Sequence, residues 1–202
     1  MQKRARHENE KEEIRNAIFR AAVKIIADEG YDKLSMRKIA SAIDYTPTTI
    51  YSYYRDKAQI VDDISRQIYR KIVGNIKIAL EKNSHLPLDD QLRVAFREFM
   101  FSITSDPEMG VAVIRSGTKA IFRVEGEPEL LENNGILILH SLLVQGQKEN
   151  IFRRLDYNIS WMLITALIGF SINAIENQFY LDKNWGDLID TYSEMLISGL
   201  LA

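Results

Sequence analysis

Residues 35–57 read SMRKIASAIDYTPTTIYSYYRDK, and their reading decides the fold. Ser35 is placed to cap a helix whose apolar face is Met36, Ile39, Ala40 and Ile43. That helix must stop near Asp44, a residue type that tolerates the left-handed backbone of a tight turn. Thr46 then caps a second helix, with Pro47 at its first position, where a missing N–H costs nothing. Tyr45 and Ile50 have the spacing of a hydrophobic staple. Asp56 and Gln59 form a capping-box-like pair that opens a third, longer helix. Three helix starts in so short a span make a helix-turn-helix unit, the device that lays its second helix in a DNA groove.

Working outward, residues 12–29 place Ile14, Ile18, Ala21, Ala22 and Ile25 on one helical stripe, and Gly30 is a natural stop. A helix from Asp56 to about Lys82 carries Ile60, Ile64, Ile68, Ile72 and Ile76 at four-residue intervals. It is too long to belong to a three-helix head alone, so it is the expected lever between head and body. Beyond the loop at residues 83–87, helices are expected over 88–104, from 107 on, 129–147, 156–179 and 187–200, with a break at 124–128. No window alternates with a two-residue period for long. The expected class is all-α, with a DNA-binding head over residues 1–57 and a larger helical part over 58–202.

The segment at about 14–62 resembles the DNA-binding domain of the tetracycline-repressor (TetR) family of bacterial transcription regulators. The residues that carry the likeness are Ile18, Ala21, Ala22, Ile25, Ile26, Gly30 and Tyr31, then Ser35, Arg37, Ile39 and Ala40. Thr46, Thr49, Ile50, Tyr51, Tyr53, Tyr54 and Lys57 follow. Three positions depart from the pattern: Asp44 and Thr48 stand where glycine is common, and Lys38 replaces the usual acidic capping partner. The resemblance implies that Arg37, Thr48, Thr49 and Ser52 reach the major groove and that Pro47 touches a thymine methyl. It implies phosphate contacts from Ser35, Tyr51, Tyr53 and Lys57, and a core position for Tyr54. It also implies a ligand-responsive, sequence-specific regulator, a repressor, bound as a homodimer to a palindromic double-stranded DNA operator. A helical small-molecule or protein-binding module without specific DNA recognition is the alternative.

The expected dimer surface is on the last two long helices. Residues 156–179 are apolar nearly all round, so both faces need cover. Thr165, Gly169 and Asn173 form a small or polar stripe for close approach, and Leu188, Tyr192 and Met195 belong to the final helix's share. By resemblance the larger part holds an effector pocket, for which Phe96, Phe99, Met100, Ile114, His140 and Phe170 are candidates, with Arg115 as an anchor for an acidic group. The apolar helical runs contain no carboxylate, which favours a neutral or anionic, hydrophobic effector.

Composition narrows the classes further. The 202 residues are 46% hydrophobic and 27% charged, as in a soluble globular protein, and contain no cysteine. The net charge of −2 conceals an asymmetry, since residues 1–57 hold 12 Lys+Arg against 9 Asp+Glu. The N-terminus has no apolar core and is not a secretory signal. Its Lys3, Arg4 and Arg6 make either an arm touching DNA or a plain solvated tail. The uncharged stretch 157–175 is near the lower limit of a membrane span but contains several polar residues and has no companion span. No membrane role is expected, and the location is expected to be cytoplasmic. His7, His85 and His140 are scattered, and no phosphate loop, HExxH or nucleophile elbow occurs. No catalytic residue, metal or cofactor is expected.

Overall fold

The computed structural model describes residues 2–115, 135–154, 156 and 158–202, the side chains of residues 2–5, 7 and 113–115 excepted. The helices are α1 (Gln2–Glu29), α2 (Met36–Ala42), α3 (Pro47–Tyr51), α4 (Lys57–Lys82), α5 (Leu88–Thr104), α6 (Pro107–Arg115), α7 (Gly135–Lys148), α8 (Ile159–Glu176) and α9 (Trp185–Ser198). Among the described residues there is no strand, and a lone antiparallel bridge joins Phe152 to Leu201. The class is all-α, as the periodicities require.

The chain divides into two compact units. The first contains the head through Ile68 and α6 from Glu108 onward; the second contains residues 69–107 and the described residues from 135 on. Helix α4 contributes to both, changing from one to the other after Ile68. In the first unit the core is Ile18, Ala22 and Ile26 of α1, Ile39 and Ala40 of α2, Ile50 of α3, Tyr54, and Ile60 and Ile64 of α4. All five isoleucines expected along α4 are buried.

The second unit is built around α5, which packs on α7, α8 and α9. Its Leu88, Leu92, Phe96, Met100 and Ile103 are buried, meeting cores supplied by Leu139 and Leu143, Leu163 and Leu167, and Ile189 and Ile197. Two arginines one turn apart on α5 set the register of α9. Arg93 pairs with Glu194 and with Asp90 of its own helix, while Arg97 pairs with Asp190 and lies over the Phe101 ring. Such exposed pairs contribute little stability each. A shift of α9 by one turn, however, would leave one of the two arginines without a carboxylate on that helix.

Several helix ends differ from the expected ones, α9 running over Trp185–Ser198 instead of 187–200. α1 begins at Gln2 instead of near Glu12, because Gln, Lys, Arg, Ala and Glu sustain a helix without an apolar stripe. The start of the expected arm is therefore helical, with Arg6 exposed. α8 begins at Ile159 because Asp156 first accepts the Asn158 N–H in a turn, 2.8 Å. It ends at Glu176, where Gln178 turns left-handed (φ 60°) into a short 3-10 turn at Phe179–Leu181. The expected break at 124–128 and the helix start at 129 lie outside the described residues.

Gly146 of α7 is a close-packing point. A Cβ there would lie 2.2 and 2.4 Å from ring carbons of Phe152, which is itself buried. Gly146→Ala is expected to lower unfolding free energy by about 1–3 kcal/mol through overpacking, despite the better helix propensity of alanine. Urea denaturation measures it; a stability equal to or above the parent's would show that Phe152 moves freely.

Candidate nucleic-acid interface

The helix-turn-helix is assembled by its caps. Ser35 is extended and its Oγ accepts the Lys38 N–H at 3.2 Å, starting α2. Lys38, standing where an acidic partner is usual, pairs instead with Glu29 and so ties α2 to the end of α1. Asp44 adopts φ 57°, the left-handed turn for which glycine is common, and the Tyr45 N–H then bonds Ala40 O at 2.9 Å. Thr46 caps α3, its Oγ1 taking the Thr49 N–H at 3.3 Å with Pro47 at the first helical position. Tyr45 keeps 44% of its surface exposed, whereas its expected staple partner Ile50 is fully buried.

This places an outward surface made of Arg37, Pro47, Thr48, Tyr51 and Ser52, all exposed, with Thr49 and Tyr53 half-buried beside them. Tyr51 is 57% exposed, so its hydroxyl and ring edge are available to a partner. Tyr54 is buried instead, as its core assignment requires. At the start of α4, Asp56 Oδ1 accepts the Gln59 N–H at 2.9 Å and Gln59 Oε1 reciprocates to the Arg55 N–H at 2.7 Å. The Gln59 N–H, followed by the Arg55 side chain, holds the Asp56 carboxyl below its ordinary value. The cap is therefore intact at neutral pH and is lost only as pH falls through that lowered value.

Lys57 is oriented by a residue whose role had no sequence signal. Its Nζ lies 3.2 Å from the Tyr31 carbonyl oxygen and 4.2 Å from the centroid of the Tyr31 ring. One of its three donors is thereby used and the other two remain for an anion. Nothing in a linear reading couples residues 26 positions apart. Arg55, exposed next to Lys57 and paired with Asp56, was likewise not among the expected contacts.

In the second unit, Phe96 and Met100 are buried, while Phe99 and His140 are half-buried. His140 Nδ1 is 3.4 Å from the buried Ser160 hydroxyl. Phe170 stacks on Tyr192 at 4.1 Å and on Trp185 at 5.6 Å, and the Tyr192 hydroxyl donates to Ala166 O at 3.1 Å. These three rings thus join α8 to α9 within one chain. The side chains of Ile114 and Arg115 lie outside the described set. Thr165, Gly169 and Asn173 of α8, and Leu188 and Met195 of α9, are exposed.

An all-α chain with a capped helix-turn-helix head and exposed polar residues on its second helix defines a helix-turn-helix protein of the DNA-binding class. The family model described as bacterial regulatory proteins, tetR family, matches residues 18–64. A TetR family transcription regulator from Marinobacter aquaeolei VT8 shares the fold with a TM-score of 0.73 at 17% identity, over 96% of this chain and 98% of that one. FadR from Bacillus halodurans, a fatty acid degradation regulator, does so with a TM-score of 0.71 at 21% identity, over 91% and 94%. An uncharacterized HTH-type transcriptional regulator of Haemophilus influenzae is 22% identical over 97 residues. That match spans about half of each, 48% of this chain and 51% of the relative.

Lys57→Ala is expected to weaken binding to every DNA sequence alike and to flatten the dependence of log K on log salt by about 1. Titration at several salt concentrations measures both. A changed base preference with an unchanged slope would move Lys57 from the phosphates to the bases.

Proposed function

We propose that the chain is a ligand-responsive, sequence-specific DNA-binding transcriptional regulator, a repressor, that acts in the cytoplasm as a homodimer on a palindromic operator. The observation that carries the DNA reading is the capped α3, which keeps Pro47, Thr48 and Tyr51 exposed while Ile50 is buried in the head core. Ser35, Tyr51, Tyr53 and Lys57 hold phosphates, and Arg37, Pro47, Thr48, Thr49 and Ser52 meet the groove. In the major groove each base pair presents a distinct pattern, so a helix seated there can discriminate sequence.

The homodimer reading is supported by the exposed apolar face of α8 and α9. Trp161, Met162, Leu188 and Met195 are large and exposed, and Gly169 of α8 has open space where a Cβ would be. Helix α8 has the length and apolar character of a membrane span, but 44% of it is buried inside the protein, which suits a core helix that a second copy completes. Two-fold pairing would set the heads at successive major grooves, roughly 34–36 Å apart.

The second unit is proposed to bind the effector, a neutral or anionic, hydrophobic molecule, near Phe96, Phe99, Met100 and His140. Half-buried His140 beside Ser160 offers polar contacts within apolar surroundings, the usual make-up of a small-molecule site. Phe170 completes the proposed set within this unit. Helix α4, shared by both units, carries the signal; weakening DNA binding ten- to a hundredfold takes a coupling of roughly 1.5–3 kcal/mol.

A gel-shift titration against the DNA flanking the protein's own gene tests the reading. Binding that survives an excess of nonspecific competitor supports it, and binding lost to competitor in proportion to total DNA removes it. Added hydrophobic acids and neutral analogues should then release the DNA.

A further inference from the structure

A groove on the head runs between α1 and α2 and has a volume of about 620 Å³. It exists because the side chains lining it are short: Ala17 and Ala21 of α1 and Ala42 of α2 leave open the space that longer ones would fill. Ile25 and Ile43 complete its apolar floor, on which Ala17, Ala21 and Ile43 are half-buried and Ala42 is exposed. None of the residues proposed to touch DNA lines the groove. It belongs to the first unit, whereas the side chains proposed to hold the effector belong to the second.

The rim has three cations, Arg20, Lys24 and Lys38, and two carboxylates, Asp28 and Glu29. Lys38 pairs with Glu29, and Lys24 with Asp28 at 3.4 Å. Arg20 is left over: it is exposed and makes no ion pair or hydrogen bond among the described residues. The exposed Ser41 hydroxyl is likewise uncommitted among the described residues. An apolar floor thus meets one unneutralised guanidinium and one free hydroxyl, the make-up of a small-molecule site.

Size and charge select the occupant. A stable protein partner takes roughly 20–30 residues a side, and eleven line this groove. The volume falls within the roughly 300–1,000 Å³ of small-molecule sites. One uncommitted cation matches one negative charge, and the guanidinium fork takes a carboxylate through two parallel hydrogen bonds. A cationic ligand would meet Arg20 with both acids already paired. We propose that the groove is a ligand site separate from the effector's, for a hydrophobic carboxylate whose apolar part lies on Ala21, Ile25, Ala42 and Ile43 while Arg20 and Ser41 hold its head group. Touching both helices, the ligand braces α2, which packs on α3, against α1.

The test uses the full chain with dodecanoate, its neutral counterpart dodecanol and a photoreactive dodecanoate analogue, each below its micelle-forming concentration. Crosslinks to peptides covering residues 17–29 and 38–43 are expected, with dodecanoate competing. Arg20→Ala should weaken labelling of these peptides about tenfold in ligand concentration, as for loss of a hydrogen bond to a charged group. Dodecanol should compete about tenfold more weakly than dodecanoate for the same reason. Ala42→Trp, at an exposed position, fills the groove and should abolish the head crosslinks, with circular dichroism confirming retained helix. Head crosslinks that survive both substitutions, or dodecanol competing as well as dodecanoate, would overturn the inference. Crosslinks absent from the head would overturn it too; where they fall in the second unit instead, the effector reading stands.

Discussion

Gly169→Arg is expected to turn the proposed homodimer into a monomer and to abolish tight operator binding. The position is exposed on α8, the helix that also exposes the large side chains of Trp161 and Met162. Nothing lies within 4 Å of where a Cβ would be, so an arginine fits the isolated chain without strain. In a dimer built on this face the same arginine becomes a buried, unpaired charge, costing on the order of 3–5 kcal/mol. The dimer dissociation constant should then rise by roughly two to four orders of magnitude. Operator affinity falls with it, because two heads no longer bind as one ligand at high effective concentration. Light scattering and gel shifts measure the two effects, and circular dichroism confirms retained helix. Gly169→Ala is the control: it should raise the helix's own stability by about 1 kcal/mol yet loosen the dimer slightly. A Gly169→Arg protein that remains dimeric at micromolar concentration would place the interface elsewhere.

The second large effect is at Tyr54. Its ring is 1% exposed in the head core. Arg15 lies over it, with the guanidinium carbon 5.4 Å from the ring centroid and Nε donating to the hydroxyl at 3.4 Å. The same guanidinium reaches Asp63 of α4 at 3.7 Å, so Tyr54 organises a junction of α1, α3 and α4. Tyr54→Ala should cost about 3–5 kcal/mol, as for other large aromatic truncations, against a total stability of about 5–15 kcal/mol. DNA binding should vanish at temperatures where the second unit is still folded. Tyr54→Phe removes the hydroxyl alone and should cost about 1 kcal/mol.

Burial raises the Tyr54 hydroxyl above its ordinary value, with Arg15 opposing. A group whose folded value is raised stabilises fully below its unfolded value, and that contribution is lost as pH rises through the folded one. Tyr54→Phe should therefore unfold less steeply than the parent on alkaline titration. Denaturation curves for the two variants decide the assignment: equal losses for Tyr54→Ala and Tyr54→Phe would mean the ring packs loosely.

Much of the head was legible because its determinants are local. Caps at Ser35, Thr46 and Asp56, Pro47 at a helix start, and the left-handed Asp44 each act within four residues, so a linear reading finds them. The same holds for α5, whose expected bounds of 88–104 are those observed. Periodicity gave α4 its five buried isoleucines for the same reason. The start of α1 escaped notice because it depends on propensity alone, with no apolar stripe to announce it.

Other features are decided only where helices meet. Lys57 rests on Tyr31, Arg15 joins Tyr54 to Asp63, and the arginines of α5 find carboxylates on α9 about a hundred residues away. Phe170 and Tyr192 were read from the sequence as belonging to two different sites, yet their rings stack on one another. Gly146 carries its constraint through the Phe152 ring, placed against it by the turn that follows α7. Each of these contacts depends on how two elements cross and on which rotamers fill the space between them. Residue type and spacing fix which face of a helix is apolar; the partner that face receives is set by the packing of the whole unit.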